Sequence, residues 1–342
     1  MTCIKLASNE NPFGPSPRAV AAMAAALKDC NFYPDNEASE LRQKLAAGHH
    51  LAPEKVLVSP GSTALLGIIA RSLLAPGLTA ITSERSFIVY PIAVRSAGGR
   101  LVEVPMHEDG FDLDAIARAI DRETRVIFLA NPNNPTGTIF DAASFDRFLE
   151  RVPSWVTVVV DEAYYDFAQY FAQQRGVDYS RSLDYVHQER NLVVLRTFSK
   201  AHGLAGVRIG YGLGPRELME RFARLQDTFA VSTVAQAAAL AALEDDDHVQ
   251  LAVENNARQE KLLSTTVSEM GCRVVTTWAN FLYGEVGEDS NRLAQRLQAE
   301  GVLIRSLETW GAPAAIRVTI GTPEQNEIFL KALRKVMPVP VR

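Results

Sequence analysis

The sequence predicts an α/β protein whose large domain is built on a mostly parallel, seven-stranded sheet and is followed by a smaller α+β domain. Two patterns carry that prediction. Upstream of residue 243, short β-branched runs alternate with helical periodicities, which requires crossover connections and parallel pairing. Several runs are apolar at consecutive positions, as in Val158-Val159-Val160, the pattern of a strand covered on both faces. The length agrees: 342 residues make about two domains at ~150 residues each, enough to bury a core without disulfide or metal staples.

The strands of the large sheet are expected at Lys55–Val58, Thr79–Thr82, Arg100–Val104, Val126–Leu129, Val156–Val160, Leu192–Leu195 and Gly206–Gly212. Between the first two, Leu65, Leu66, Ile69 and Leu73 fall on one face of a helix. Beyond residue 243 a long polar helix, His248 to about Met270, precedes strand-like Arg273–Thr276 and Phe281–Glu285. A helix near Ser290–Glu300, strands at Val302–Arg305 and Ala315–Ile320, and a closing helix after Pro323 complete the tail. The acidic run Glu244–Asp247 reads as a solvated turn with a helix N-cap in preference to a metal site.

Composition narrows the functional classes. Thirty-five basic and 40 acidic side chains leave a net charge of −5, and no Lys/Arg-rich run marks a face for a phosphate backbone, so nucleic acid is not an expected partner. The start, MTCIKLASNENPFG, lacks the charged and apolar regions of a signal peptide, and no apolar run reaches the ~18 residues of a membrane span. A cytoplasmic protein is expected. Cys3, Cys30 and Cys272, odd in number and without CxxC spacing, read as unpaired thiols, with no zinc site.

Three segments carry chemistry together. Asn131-Pro132-Asn133-Asn134-Pro135-Thr136-Gly137 follows the strand ending at Leu129, where open α/β sheets collect ligands, although alone it is also an ordinary Asn/Pro/Gly turn. Twenty-seven residues past Asn134, Val156–Val160 runs into Asp161-Glu162-Ala163-Tyr164, putting a carboxylate at the tip of a buried strand, which is costly unless it meets a cation or several donors. Thirty-nine residues further, Leu192–Leu195 leads into Arg196-Thr197-Phe198-Ser199-Lys200. By itself that lysine reads as a solvated charge.

In combination these motifs resemble the fold-type I pyridoxal-phosphate enzymes, specifically the class I/II aminotransferases and most nearly their histidinol-phosphate aminotransferase branch. The resemblance runs from Ser8-Asn9-Glu10-Asn11-Pro12-Phe13-Gly14 through Asn133–Gly137, Asp161–Tyr164, Arg196–Lys200 and Leu204–Gly210 to Ile316-Arg317-Val318-Thr319-Ile320-Gly321-Thr322. It implies pyridoxal 5′-phosphate as cofactor, an arm and part of the small domain in residues 1–30, a cofactor-binding large domain over 31–242 and a small domain over 243–342. Lys200 would hold the cofactor covalently and then act as base and acid, which needs its amine neutral at working pH. Asp161 would pair with the pyridinium nitrogen. Tyr164 and Asn134 would hydrogen-bond the ring oxygen, and Phe87 would stack on the ring. Gly61, Ser62 and Thr63 at a helix start, with Ser199 and Arg208, would hold the phosphate. Thr63-Ala64 departs from the branch, which has an acidic pair there.

For substrate, the resemblance assigns Arg317 to the α-carboxylate and Arg305 to a distal phosphate or carboxylate, a surface ion pair being the alternative for Arg305. The stretch Asn31-Phe32-Tyr33-Pro34 matches one whose tyrosine reaches the cofactor phosphate of a neighbouring subunit, so a homodimer is expected, with Tyr33 serving its partner. The reaction implied is amino transfer between glutamate/2-oxoglutarate and a second pair, foremost histidinol phosphate and imidazole acetol phosphate. Aromatic or broad-specificity transamination, a pyridoxal-phosphate decarboxylase and a non-catalytic binding module are the alternatives. A nicotinamide dehydrogenase is disfavoured because Gly210-Tyr211-Gly212-Leu213-Gly214 lacks Gly-x-Gly-x-x-Gly spacing.

Overall fold

The computed structural model describes residues 3–337, and among them 13 strands form three sheets. In chain order β1 is Ile4–Lys5, β2 Val56–Ser59, β3 Thr79–Ser83, β4 Arg100–Val104, β5 Thr124–Ala130, β6 Thr157–Asp161, β7 Leu192–Thr197 and β8 Gly210–Leu213. The tail contributes β9 (Arg273–Val275), β10 (Phe281–Glu285), β11 (Val302–Leu303), β12 (Arg305–Ser306) and β13 (Ala315–Thr319). Among the described residues no helix is long and apolar enough to cross a membrane, and Cys3, Cys30 and Cys272 are free thiols.

The large sheet has the order β2-β8-β7-β6-β5-β3-β4, and β8 alone runs antiparallel to its neighbours. The other six strands therefore point the same way, and their C-terminal ends share one edge. The triple valine of β6 works as the pattern requires: Val158 and Val160 enter the core on one face, Val159 the core on the other. Leu65, Leu66 and Ile69 are buried on one side of the helix Ser62–Leu73, and Leu73 lies at its margin.

Three local expectations change. The strand expected over Gly206–Gly212 starts only at Gly210, because Ala205–Val207 form a 3-10 turn and Arg208 takes φ 61° before the chain enters β8. A Cβ at position 210 would lie 2.5 Å from the Ser62 amide nitrogen and 2.9 Å from the Arg196 carbonyl oxygen, so this crossing of backbones needs glycine. The strand expected over Val302–Arg305 divides: β11 pairs parallel with β1, whereas β12 pairs antiparallel with β13, and buried Ile304 lies between them. In the acidic run, Asp245 occupies the N-cap of the helix Asp246–Glu269 without a side-chain cap bond. Asp245 instead meets Arg18 at 3.9 Å, and Glu244 pairs with Lys44, fastening this junction to the helices Pro17–Ala26 and Ser39–Gly48.

The tail sheet, β12-β13-β10-β9, is antiparallel throughout. Its core gathers Leu263, Leu282, Leu293 and Phe329 together with Leu6 from the N-terminal arm. Ala19 of the helix Pro17–Ala26 packs instead in the core of the large sheet. The first 30 residues are thus shared between two cores.

One buried ion pair joins the tips of β6 and β7. Glu162, directly after Asp161, accepts from Nε and Nη2 of Arg196 at 3.1 and 2.9 Å on one oxygen and from the Ser180 and Ser182 hydroxyls, both at 2.7 Å, on the other. The guanidinium also lies over the Tyr165 ring, 3.5 Å from its centroid. Glu162→Gln leaves Arg196 buried without its counter-charge and is expected to cost about 3–5 kcal/mol. Urea denaturation measures this; a loss below about 1 kcal/mol would mean that the pair does not hold the strand tips together.

Candidate active site

A cleft of about 290 Å³ opens where the C-terminal edge of the large sheet faces the tail sheet and the N-terminal arm. Its wall contains Ser62, Thr63, Phe87, Asn134, Asp161, Tyr164, Ser199, Lys200, Arg208, Arg305 and Arg317, all of them marked from the sequence. Gly61 stands just behind, and its φ of 86° suits glycine. A Cβ there would lie 2.5 Å from Nη2 of Arg208, so the absent side chain makes room for that guanidinium. Tyr33 is not brought in. It is 81% exposed and stacks on Phe229, 4.5 Å between ring centroids.

Asp161 ends β6 and is buried. One carboxylate oxygen accepts from the Tyr90 hydroxyl at 3.3 Å and the other from the Ala163 amide at 3.2 Å. Burial pushes its carboxyl up to about 6, against the lowering effect of those two donors. Among the described residues no cation forms an ion pair with it, so the carboxylate at this strand tip still lacks the positive partner that would favour its ionised form.

Lys200 follows β7 by three residues and is half-buried in the cleft. Its amine donates to the Ser8 and Asn9 carbonyls at 3.2 and 3.1 Å, two bonds that a neutral amine can also make. Burial, followed by the cations Arg317 and Arg208, lowers it to about 7, with Glu10 and Asp161 opposing. The Tyr164 ring lies 5.4 Å below the nitrogen, and the Tyr164 hydroxyl accepts from Nδ2 of Asn9 at 2.9 Å.

At one end of the cleft is an anion cradle. The helix Ser62–Leu73 begins after Gly61 with no side-chain cap, so its first amides are free to meet a ligand. Arg208 reaches the Ser199 hydroxyl at 3.5 Å and the Ala205 carbonyl at 2.8 Å, with no carboxylate partner among the described residues. Ser199 is held in turn by the Thr197 hydroxyl at 2.9 Å.

Two further arginines lie at the other end. Arg317 is buried; it donates to the Asn134 side-chain oxygen and, at 2.8 Å, to the Ala7 carbonyl. Its Nε is buried without a partner, and among the described residues no carboxylate pairs with it. Burial lowers it to about 10. Arg305 stands opposite Arg317 in the β12–β13 register, exposed, and the surface ion pair considered for it is not formed among the described residues. Like charges facing each other across a strand pair are unfavourable without an anion between them.

Four functional groups were not singled out from the sequence: Tyr90, buried beneath Asp161, and Ser8, Asn9 and Trp310 in the cleft wall. Ser8 and Asn9 lie in the Ser8–Gly14 segment of the family resemblance, and that position was the available clue. Trp310 had none.

Comparison with known proteins gives a consistent result. The family model "Aminotransferase class I and II" matches residues 1–333. Histidinol-phosphate aminotransferase 2 of Pseudomonas fluorescens (strain Pf0-1) is 42% identical over 334 residues, 98% of this chain and 89% of that protein. The crystal structure of histidinol-phosphate aminotransferase from Sinorhizobium meliloti in complex with pyridoxal-5′-phosphate superposes with a TM-score of 0.91 at 29% identity, covering 98% of this chain and 91% of that one. L-threonine-O-3-phosphate decarboxylase from Porphyromonas gingivalis superposes with a TM-score of 0.85 at 25% identity, covering 97% and 98%. A family match over nearly the whole sequence, joined to a cleft that sets an amine, a buried acid and unpaired arginines around one space, places this chain among the class I and II aminotransferases.

Proposed function

We propose that the chain is a cytoplasmic, pyridoxal-phosphate-dependent aminotransferase exchanging an amino group between glutamate/2-oxoglutarate and histidinol phosphate/imidazole acetol phosphate. The observation that carries this reading is the complementarity of the cleft to that cofactor. A buried acid without a cation suits a protonated ring nitrogen, a cradle of free amides with Arg208 suits a phosphate, and a lysine amine shifted to about 7 stands in the same cleft.

When bound, the cofactor supplies an electron sink for the carbon that bears the amino group. The chain's own groups do the rest. Asp161 holds a proton at the ring nitrogen, and Tyr90 and the Ala163 amide fix the orientation of its carboxylate. Lys200 anchors the cofactor and, once displaced, takes a proton from the substrate carbon and returns one; an amine lowered to about 7 is largely neutral above that pH and so available as a base. Tyr164 and the amide NH₂ of Asn134 bind the ring oxygen, the Asn134 carbonyl being occupied by Arg317. Phe87 covers the ring face. Arg317, with an unpaired Nε, takes the α-carboxylate of glutamate or the phosphate that histidinol phosphate carries on the neighbouring carbon, and Arg305 assists on that phosphate or on the distal carboxylate of glutamate.

Thr63 at the rim offers no acid to an imidazole, which favours an aromatic amino donor as the second reading. Competition between phenylalanine and histidinol phosphate separates the two. The exposed Tyr33–Phe229 stack supports a homodimer in which Tyr33 enters the partner's site, since an aromatic pair in water is an expected contact surface.

Borohydride reduction and peptide mapping are expected to recover the cofactor on Lys200; recovery on a different lysine would remove Lys200 from the centre of the reaction. Asp161→Asn is expected to retain cofactor while slowing half-transamination by on the order of 100-fold or more. Near-normal turnover would assign protonation of the ring to another group. Mixing Lys200→Ala with Tyr33→Ala should restore activity in heterodimers that keep one intact site, and a fully active monomer in sedimentation would refute the shared site.

A further inference from the structure

The cleft has a second chamber beside it. A cavity of about 320 Å³ extends from the cleft past the ends of β3 and β4, with Arg85, Glu103 and Thr309 in its wall. Phe87, Ile88 and Trp310 border both spaces. Phe87 and Ile88 belong to the large domain's loop after β3, whereas Trp310 comes from the tail, so the indole is the tail's contribution to the partition.

The position of Trp310 follows from its neighbours. It lies in the 3-10 turn Glu308–Trp310 between β12 and β13, the strands that carry Arg305 and Arg317 in direct register. Arg305, Arg317 and the indole line the same cleft. The guanidinium carbon of Arg317 is 5.9 Å from the indole centroid, at the outer limit of a cation–π contact. An anionic group seated on Arg317, the carboxylate of glutamate or the phosphate ester of histidinol phosphate, brings the rest of the substrate within reach of the indole.

The ring is held only by packing. It rests against the small cluster of Tyr283, Leu307, Ala312 and Ala315, and its Nε1 is shielded from solvent with no hydrogen-bond partner. A buried donor without an acceptor costs free energy, and no hydrogen bond fixes the angle of the ring. A planar ligand ring would supply a stacking surface for the part of the indole that borders the cleft.

We propose that Trp310 is the specificity-determining residue for the ring-bearing substrate, stacking its planar heteroaromatic side chain at the mouth of the second chamber. Glutamate has no ring and relies on the arginines alone. One pocket can then serve two half-reactions with dissimilar side chains, because the indole is engaged by only one of them. This assignment rests on the aminotransferase reading.

The test compares the two half-reactions in Trp310→Ala, Trp310→Leu and Trp310→Phe. Expected is a fall of at least ten-fold in the ratio of kcat/KM for histidinol phosphate to that for glutamate in the Ala and Leu variants, expressed mainly in KM. Phe, which keeps a ring, should hold the ratio within three-fold. Leu guards against loss of folding through an emptied core site. A second readout is indole emission on titration with histidinol phosphate, expected to change in the unmodified protein and not in Trp310→Phe, since Trp155 and Trp278 lie outside the cleft. An unchanged ratio in both Ala and Leu, or emission insensitive to the ligand, overturns the role of Trp310. Absence of amino transfer in the unmodified protein would instead sink the function reading, and the emission titration would still decide whether Trp310 meets the ligand.

Discussion

The arrangement depends on a charge pair that takes no part in the chemistry. Glu162 and Arg196 sit at the tips of adjacent parallel strands, one residue past Asp161 and four before Lys200. Burying two charges is costly, and the cost is offset by the partners around them: two guanidinium nitrogens and two serine hydroxyls donate to the carboxylate, and a tyrosine ring lies under the guanidinium. Such a network tolerates few geometries. It therefore sets the spacing between the acid on β6 and the lysine after β7 more tightly than backbone hydrogen bonds alone, and the acid and amine inherit that precision.

The sequence made the strand tips legible because each is announced locally. A β-branched run ends, and the next polar residue must stand at the edge; Asp161 is located by that rule, whereas Asn134 and Lys200 gain their roles only from the combined motifs. The valines of β6 likewise revealed a sheet covered on both sides. Other features depend on contacts distant in sequence. The reversed direction of β8 follows from the turn through Arg208 and the close backbone crossing at Gly210, neither of which leaves a periodic trace. Two-residue strands such as β11 and β12 are too short for alternation to show, so a single run hid two sheets. Tyr90 looks like an ordinary apolar-helix aromatic until packing against Phe128, 5.2 Å between centroids, aims its hydroxyl at Asp161.

Charge is distributed unevenly around the cleft. Arg208, Arg305 and Arg317 find no carboxylate among the described residues, and all three line this one space. Positive potential concentrated in a concave, partly dry region attracts doubly anionic ligands before any contact forms. Arg317 and Arg208 also add to the effect of burial in lowering the lysine amine, so ligand capture and readiness of the base are linked.

The N-terminal arm has a mechanical consequence. Leu6 is stitched into the tail by its amide to the Leu303 carbonyl, 2.8 Å, and by its own carbonyl to the Thr319 amide, 2.8 Å. Two residues later the Ser8 carbonyl holds the Lys200 amine. Two residues span at most about 7 Å of extended chain. The arm is thus a short tether between the tail and the reactive lysine: any hinge that swung the tail away by more than that length would strip the amine of its acceptors, so the proton affinity of Lys200 reports the distance between the two bodies of the protein.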